Sequence, residues 1–111
     1  MPVVVSNIII PIGADFDQSF PLKLDLTGAT VASKLKKHPA NLNYTATFNA
    51  SLDELLGSVT ISLGSSITSG LRPGRYSYDI LINHEHKIKR VVEGSALVTA
   101  GVTTSVATPI P

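Results

Sequence analysis

The sequence predicts an all-β fold in which two layers of short strands pack face to face. Apolar and polar residues alternate with a period of two along much of the chain, as they do in half-buried strands. Residues typical of turns separate the alternating segments, about seven or eight in number. Only 15% of the residues are charged, while Val, Ile, Leu, Thr and Ser are abundant. Such a composition suits strands whose surface other proteins cover.

The first clear alternation begins at Phe16 and ends at Leu26. Apolar residues occupy even positions, so one face of this predicted strand is buried. Pro21 cannot donate a ladder hydrogen bond, which indicates a sheet edge or a bulge. Two weaker segments follow: Val31, Ser33 and Leu35, then Tyr44, Ala46 and Phe48.

The middle of the chain predicts two short turns around one strand. Ser51 to Gly57 has the pattern of a single helical turn, with Ser51 as its cap, Glu54 three residues later and Gly57 at its end. Val59, Ile61 and Leu63 then form a clean strand, and Ser65 to Gly70 forms a second turn.

The last third predicts a hairpin. Arg75 to Ile82 forms one strand, Asn83 to His86 the loop, and Lys87 to Glu93 the antiparallel return. Gly94 is expected to interrupt that return, which resumes from Ser95 to Thr99. The predicted core consists of Phe16, Phe20, Leu22, Leu24, Tyr44, Phe48, Val59, Ile61, Leu63, Tyr76, Tyr78 and Ile80.

A rigid corner precedes the strand that contains Tyr76. Pro73 and Gly74 fix the bend, Leu71 closes the end of the sandwich, and the Tyr76 hydroxyl is expected to bond to upstream backbone. This corner is typical of an immunoglobulin-like antiparallel sandwich of seven to eight strands. We therefore predict a sandwich domain at 12–101. Residues 1–11 form an extended arm or a first strand, and residues 102–111 form a second extended arm.

The two termini are apolar and bounded by prolines. We expect them to dock onto neighbouring proteins, because an extended segment can pair with an exposed sheet edge without special side chains. The candidate docking residues are Val3, Val4, Val5, Ile8, Ile10, Val102, Val106 and Ile110.

Charge and cysteine content argue against several classes of partner. Nine Lys and Arg against eight Asp and Glu give a net charge of +1, and there is no cysteine. No stretch approaches the ~18 apolar residues of a membrane span, and no signal peptide is visible. A small basic run, Lys34, Lys36, Lys37 and His38, lacks the interleaved aromatics of a nucleic-acid site. Lys87, Lys89 and Arg90 extend that run or pair with Asp79 or Glu93 across strands.

Catalytic and metal motifs are absent from the sequence. His84, Glu85 and His86 are the one tight cluster of potential ligands, and a zinc site needs four filled positions. We interpret the cluster as a solvated hairpin tip. The sequence has no phosphate loop, no nucleophile elbow and no zinc-protease motif. We therefore expect a protein that is not an enzyme and uses no cofactor.

Three segments resemble a known group, the immunoglobulin-like domain of tailed-bacteriophage virion proteins. They read GADFDQSFPLKLDLTGATVASKLKKH, GSVTISLGSSITSGLRPGRYSYDILI and KIKRVVEGSALVTAGVTTS. The most telling combination is Leu-x-Pro-Gly-x-Tyr at 71–76 followed by Glu-Gly-x-x-x-Val at 93–98. The chain is similar to the N-terminal domain of phage baseplate upper proteins and to small structural proteins of cyanobacterial phages. Baseplate upper proteins carry further domains after this module, and functions that depend on those domains are not carried over.

The resemblance implies a virion structural protein, made in the host cytoplasm, that docks onto other virion proteins and forms homo-oligomers within the particle. A tail or baseplate position is the first interpretation. A capsid decoration protein bound between major capsid proteins is the alternative. A carbohydrate- or adhesin-type binding module is a third interpretation, from a different class of protein. Neither nucleic acid nor a membrane is an expected partner.

Overall fold

The computed structural model of the chain describes residues 3–37 and 46–100. In these ranges nine strands form two sheets, and the predicted all-β sandwich is confirmed. The elements are β1 (Val4–Val5), β2 (Ile8–Pro11), β3 (Phe16–Pro21), β4 (Thr30–Lys37), β5 (Ala46–Thr47), β6 (Asn49–Asp53), β7 (Ser58–Leu63), α1 (Ser65–Thr68), β8 (Gly74–His84) and β9 (Lys87–Thr99).

The smaller sheet contains three antiparallel strands in the order β3-β7-β6. Phe16 lies opposite Leu63, and Phe20 lies opposite Val59. All four side chains are buried, so Phe16 and Phe20 of β3 share the inner face with the odd positions of β7, whereas Gln18 between them is exposed. The period-two pattern of the sequence predicted this face.

The larger sheet has the order β1-β9-β8-β4-β5, and β2 follows β1 along the same edge of β9. β8 pairs antiparallel with both β4 and β9. β1 and β2 run parallel to β9, with Ile8 opposite Ala96 and Ile10 opposite Val98. The larger sheet therefore contains parallel pairs in addition to the predicted antiparallel ones. The parallel pairs arise because β1 and β2, at the beginning of the described chain, pair with β9 at its end.

The core lies between the sheets and contains a connected set of aromatic rings. Phe48 lies with its ring centroid 6.1 Å from Phe16 and 6.2 Å from Tyr78, and Tyr78 lies 6.5 Å from Phe20. Every predicted core residue in the described ranges is buried except Leu24, which is half-buried against the core. Tyr44 lies outside the described residues.

One end of the sandwich is closed by α1. Asp15 Oδ1 accepts a hydrogen bond from the Ser65 backbone N–H at 2.7 Å. The buried Thr68 hydroxyl donates to the Ala14 carbonyl at 2.8 Å and accepts from the Gly13 N–H at 3.1 Å. The second turn predicted at Ser65 to Gly70 therefore forms a short helix tied to the chain before β3.

The strand predicted from Phe16 to Leu26 ends earlier, at Pro21. The Gly57 carbonyl accepts hydrogen bonds from both Leu22 N–H and Lys23 N–H at 3.0 Å, and Lys23 has a positive φ of 55°. This kink breaks the strand geometry, although Leu22 and Leu26 remain buried. The alternation predicted the buried residues correctly and the strand end wrongly.

The helical turn predicted at Ser51 to Gly57 is also wrong. Strand β6 continues to Asp53, and a tight turn follows, with Gly57 at a φ of 64°. The cap is Asp53, whose Oδ1 accepts hydrogen bonds from Leu55 N–H and Leu56 N–H at 3.1 Å. Pairing of β6 with β7 overrides the weak helical preference of such a short segment.

The predicted β8–β9 hairpin forms, but with a shorter loop. His84 pairs with Lys87, so only Glu85 and His86 form the turn. The prediction that Gly94 interrupts β9 is wrong, since the strand is continuous from Lys87 to Thr99. The glycine is needed there for another reason: a Cβ would lie 2.0 Å from the Ser6 carbonyl oxygen. The irregularity lies instead between Ile80 and Leu81.

Candidate interaction site

The turn between β6 and β7 exposes two adjacent leucines. Leu55 is 98% exposed and Leu56 is 71% exposed. Because Asp53 Oδ1 bonds to both of their backbone N–H groups, the two residues are presented in a defined conformation. We call residues 53–57 the leucine turn.

Contacts from two other segments hold the leucine turn in place. Glu54 Oε1 accepts a hydrogen bond from the Gly28 N–H at 3.2 Å, and the Gly57 carbonyl accepts from Leu22 and Lys23. A Cβ at Gly57 would lie 2.5 Å from the Leu24 carbonyl oxygen. The turn is therefore packed against the chain between β3 and β4, and its backbone loses little conformational freedom on binding a partner.

The sequence pattern did not predict the leucine turn as a candidate site, because its residues fall within the helical turn predicted at Ser51 to Gly57. The available signal was two adjacent leucines between strong turn residues, next to a segment, Val59 to Leu63, in which apolar residues follow a period of two. Both leucines lie in the turn that joins the paired ends of β6 and β7, where their side chains are exposed.

The structural corner forms around Tyr76. Its hydroxyl donates a hydrogen bond to the Arg72 carbonyl at 2.9 Å, which is the upstream backbone bond that the sequence predicted. Leu71 and Tyr76 are buried, and Gly74 begins β8 with a φ of 144°. Pro73 lies exposed on the bend. These four residues position β8.

The N-terminal docking residues divide into two groups. Val3, Val4 and Val5 are exposed, but Ile8 and Ile10 are buried in the core at 5% and 0% exposure. The prediction that Ile8 and Ile10 dock onto a partner is wrong, because their strand pairs with β9 of the same chain and their side chains fill the sandwich. The predicted docking residues Val102, Val106 and Ile110 lie outside the described residues.

The histidine cluster lies at the β8–β9 hairpin. His84 Nε2 is 3.1 Å from the Thr27 carbonyl, and no group of three potential metal ligands occurs within residues 3–37 and 46–100. Hydrogen bonds from Thr27, assisted by His84, lower the pKa of the nearby Asp25 carboxyl. These contacts fasten the hairpin to the loop before β4.

The basic residues lie on different parts of the larger sheet. Arg90 pairs with Asp79 across the strands at 3.2 Å, which confirms the predicted cross-strand alternative for this pair. Its second partner, Glu93 at 3.9 Å, lies three residues further along the same strand. The Lys37 ammonium lies 5.9 Å from the centre of the Tyr76 ring. His38 lies outside the described residues.

The outer face of β4 and β8 contains a shallow depression of about 420 Å³. Ala32 and Leu81 lie opposite each other in it, and Lys34 lies opposite Asp79. Lys36 also lines the depression. The face therefore combines an apolar area with lysine side chains.

Comparisons with known proteins identify no family. No family model and no curated protein matches the chain. Among solved structures, the crystal structure of Listeria monocytogenes InlP is similar, with a TM-score of 0.49 and 17% sequence identity. The match covers 86% of this chain and 26% of that one, so the chain spans about a quarter of the length of InlP. A likeness at this level assigns no function. In the described part of the chain, no helix is long and apolar enough to span a membrane.

Proposed function

We propose that this chain is a non-catalytic structural subunit of a tailed-phage particle that docks onto neighbouring virion proteins. The observation that carries the docking role is the leucine turn, a fixed turn that leaves Leu55 98% exposed. The resemblance of the Leu71–Tyr76 and Glu93–Val98 motifs supports a virion protein, with a tail or baseplate position as the first choice.

The energetics of the leucine turn suit a repeated assembly. Fully burying a leucine side chain stabilises a contact by about 1.5–3 kcal/mol, so two leucines contribute roughly 3–6 kcal/mol before the cost of association. That gain is no larger than the roughly 4–15 kcal/mol that association costs, so a single leucine-turn contact is weak by itself. Multivalent attachment in a symmetric particle raises the overall affinity well above that of each contact.

Quantitative mass spectrometry of purified particles tests the virion assignment. We expect the chain in tens of copies per particle for a tail or baseplate component; hundreds of copies would instead place it on the capsid. Particles that lack the chain would refute the assignment.

Particles assembled with variant chains test the docking role. We expect Leu55→Ser with Leu56→Ser to lower the copy number, because serine removes the apolar surface and leaves the Asp53 cap intact. Ile67→Ser, at an exposed apolar residue of α1, is the matched control. Full occupancy of the double variant would exclude the leucine turn as the anchor. Deletion of residues 102–111 tests the predicted C-terminal arm in the same way.

A further inference from the structure

The leucine turn and the β4–β8 depression have complementary surfaces. We propose that the leucine turn of one copy inserts into the depression on the outer face of β4 and β8 of a second copy. This inference rests on the proposed function in one respect, since it takes the leucine turn as the docking element.

The depression has the size and lining to receive the turn. Its volume of about 420 Å³ lies within the range of roughly 300–1,000 Å³ typical of binding clefts. Ala32 and Leu81 are directly paired across the strands, so they form one apolar area on the outer face. The neighbouring Ser33 is buried on the inner face, as the alternation of the strand requires.

The charges around the two surfaces are opposite in sign. Asp53 and Glu54 immediately precede the leucines, whereas Lys34 and Lys36 line the depression. Asp79, the acidic residue there, is already paired with Arg90. An acidic turn approaching this face therefore meets the exposed Lys36 side chain, which favours one orientation of the two copies.

The contact joins different surfaces of two molecules. The leucine turn belongs to the smaller sheet, while the depression lies on the outer face of the larger sheet, across the core. A turn therefore cannot reach the depression of its own chain. A heterologous contact of this kind generates a ring when the rotation closes, or an open chain when it does not.

Disulfide formation between single-cysteine variants tests the contact, because the natural chain contains no cysteine. Leu56→Cys and Ala32→Cys are purified separately, mixed and oxidised. We expect a heterodimer in the mixture at a yield roughly ten-fold above that of either variant alone, which is the bias that a preference of about 1.4 kcal/mol produces. A chain that carries both cysteines should form a ladder of oligomers or one closed ring.

Controls separate the specific contact from random collision. Ile67→Cys, on α1, mixed with Ala32→Cys should give only the background yield. Adding Lys36→Glu to the Ala32→Cys chain, or raising the salt concentration, should lower the heterodimer yield because both weaken attraction to the acidic turn. A Leu56–Ala32 yield no higher than the Ile67–Ala32 background would overturn the proposal.

The cross-linking experiment and the particle experiments distinguish failure of the self-association from failure of the proposed function. If the cross-link does not form but the Leu55→Ser and Leu56→Ser chain is lost from particles, the turn docks onto another protein. If the cross-link forms but particles lack the chain, the self-association stands and the virion assignment fails.

Discussion

At the scale of single residues, Tyr78 joins three parts of the fold. Its ring packs against Phe20 and Phe48, and its hydroxyl donates a hydrogen bond to the Ser6 carbonyl at 2.6 Å. This bond fastens the chain between β1 and β2 to the inner face of β8. An aromatic residue at an inward register was expected, whereas its polar partner, 72 residues earlier in the chain, could not be read from local alternation.

Burial raises the pKa of Tyr78 above the ordinary value of 10.0. The unfolded chain therefore ionises at lower pH than the folded protein, and the stability that Tyr78 contributes is fully present below pH 10.0. It is lost as the pH rises from 10.0 through the raised pKa of the folded state. Ionisation also removes the proton that bonds to Ser6.

We predict that Tyr78→Phe lowers the free energy of unfolding at neutral pH by about 1–2 kcal/mol, because the Ser6 carbonyl loses its partner. Denaturant unfolding at a series of pH values should show a smaller loss of stability above pH 10 for the variant than for the natural chain. Parallel curves for the two proteins would show that Tyr78 does not control the alkaline transition.

At the scale of elements, the β8–β9 hairpin contains local strain. Glu85 and His86 are its two turn residues, with φ values of 54° and 63°. A two-residue turn with positive φ at both positions favours Asn followed by Gly, because other side chains are strained there. The sequence predicted Glu85 and His86 within a four-residue loop, but it did not indicate that these two residues alone would form the turn with positive φ.

We predict that Glu85→Asn with His86→Gly raises the free energy of unfolding by about 1–2 kcal/mol, since both new residues tolerate positive φ. Thermal unfolding followed by circular dichroism measures the gain. Lys87→Asn, a neighbouring substitution in β9, is the control and should show no such gain. An unchanged or lower midpoint for the double variant would contradict the strain argument.

At the scale of the whole molecule, β2 joins the beginning of the described chain to its end. Ile8 and Ile10 enter the core between β9 and the smaller sheet, whereas Ile9 lies on the outside at 63% exposure. The segment is therefore part of the sandwich. We expect it to unfold together with the two sheets, because they share one continuous core.

We predict that Ile10→Ala lowers the free energy of unfolding by about 2–5 kcal/mol, while Ile9→Ala changes it by less than about 0.5 kcal/mol. Circular dichroism and tyrosine fluorescence should give coincident transitions for both variants, as for a two-state domain. Equal, small effects of the two substitutions would mean that residues 8–11 are a detachable arm. Separate transitions would contradict a single cooperative unit.

The local pattern of residues determines many features of this fold. Alternation of apolar residues predicted the buried faces of β3, β7 and β8, and the Pro73–Gly74 bend predicted the Tyr76 corner. These features depend on neighbours within a few residues, because side-chain direction in a strand repeats every two positions. They are therefore visible in one sequence.

Tertiary structure alone decided which surfaces remain available for association. The runs Val3–Val5 and Ile8–Ile10 contain no alternation, so nothing local distinguishes the buried Ile10 from the exposed Ile9. Parallel pairing with β9 makes that distinction, and pairing of β6 with β7 places Leu55 and Leu56 in the exposed turn that joins the two strands. Both pairings join segments that the sequence pattern cannot match to one another, because a period of two shows which residues share a face but not what covers it.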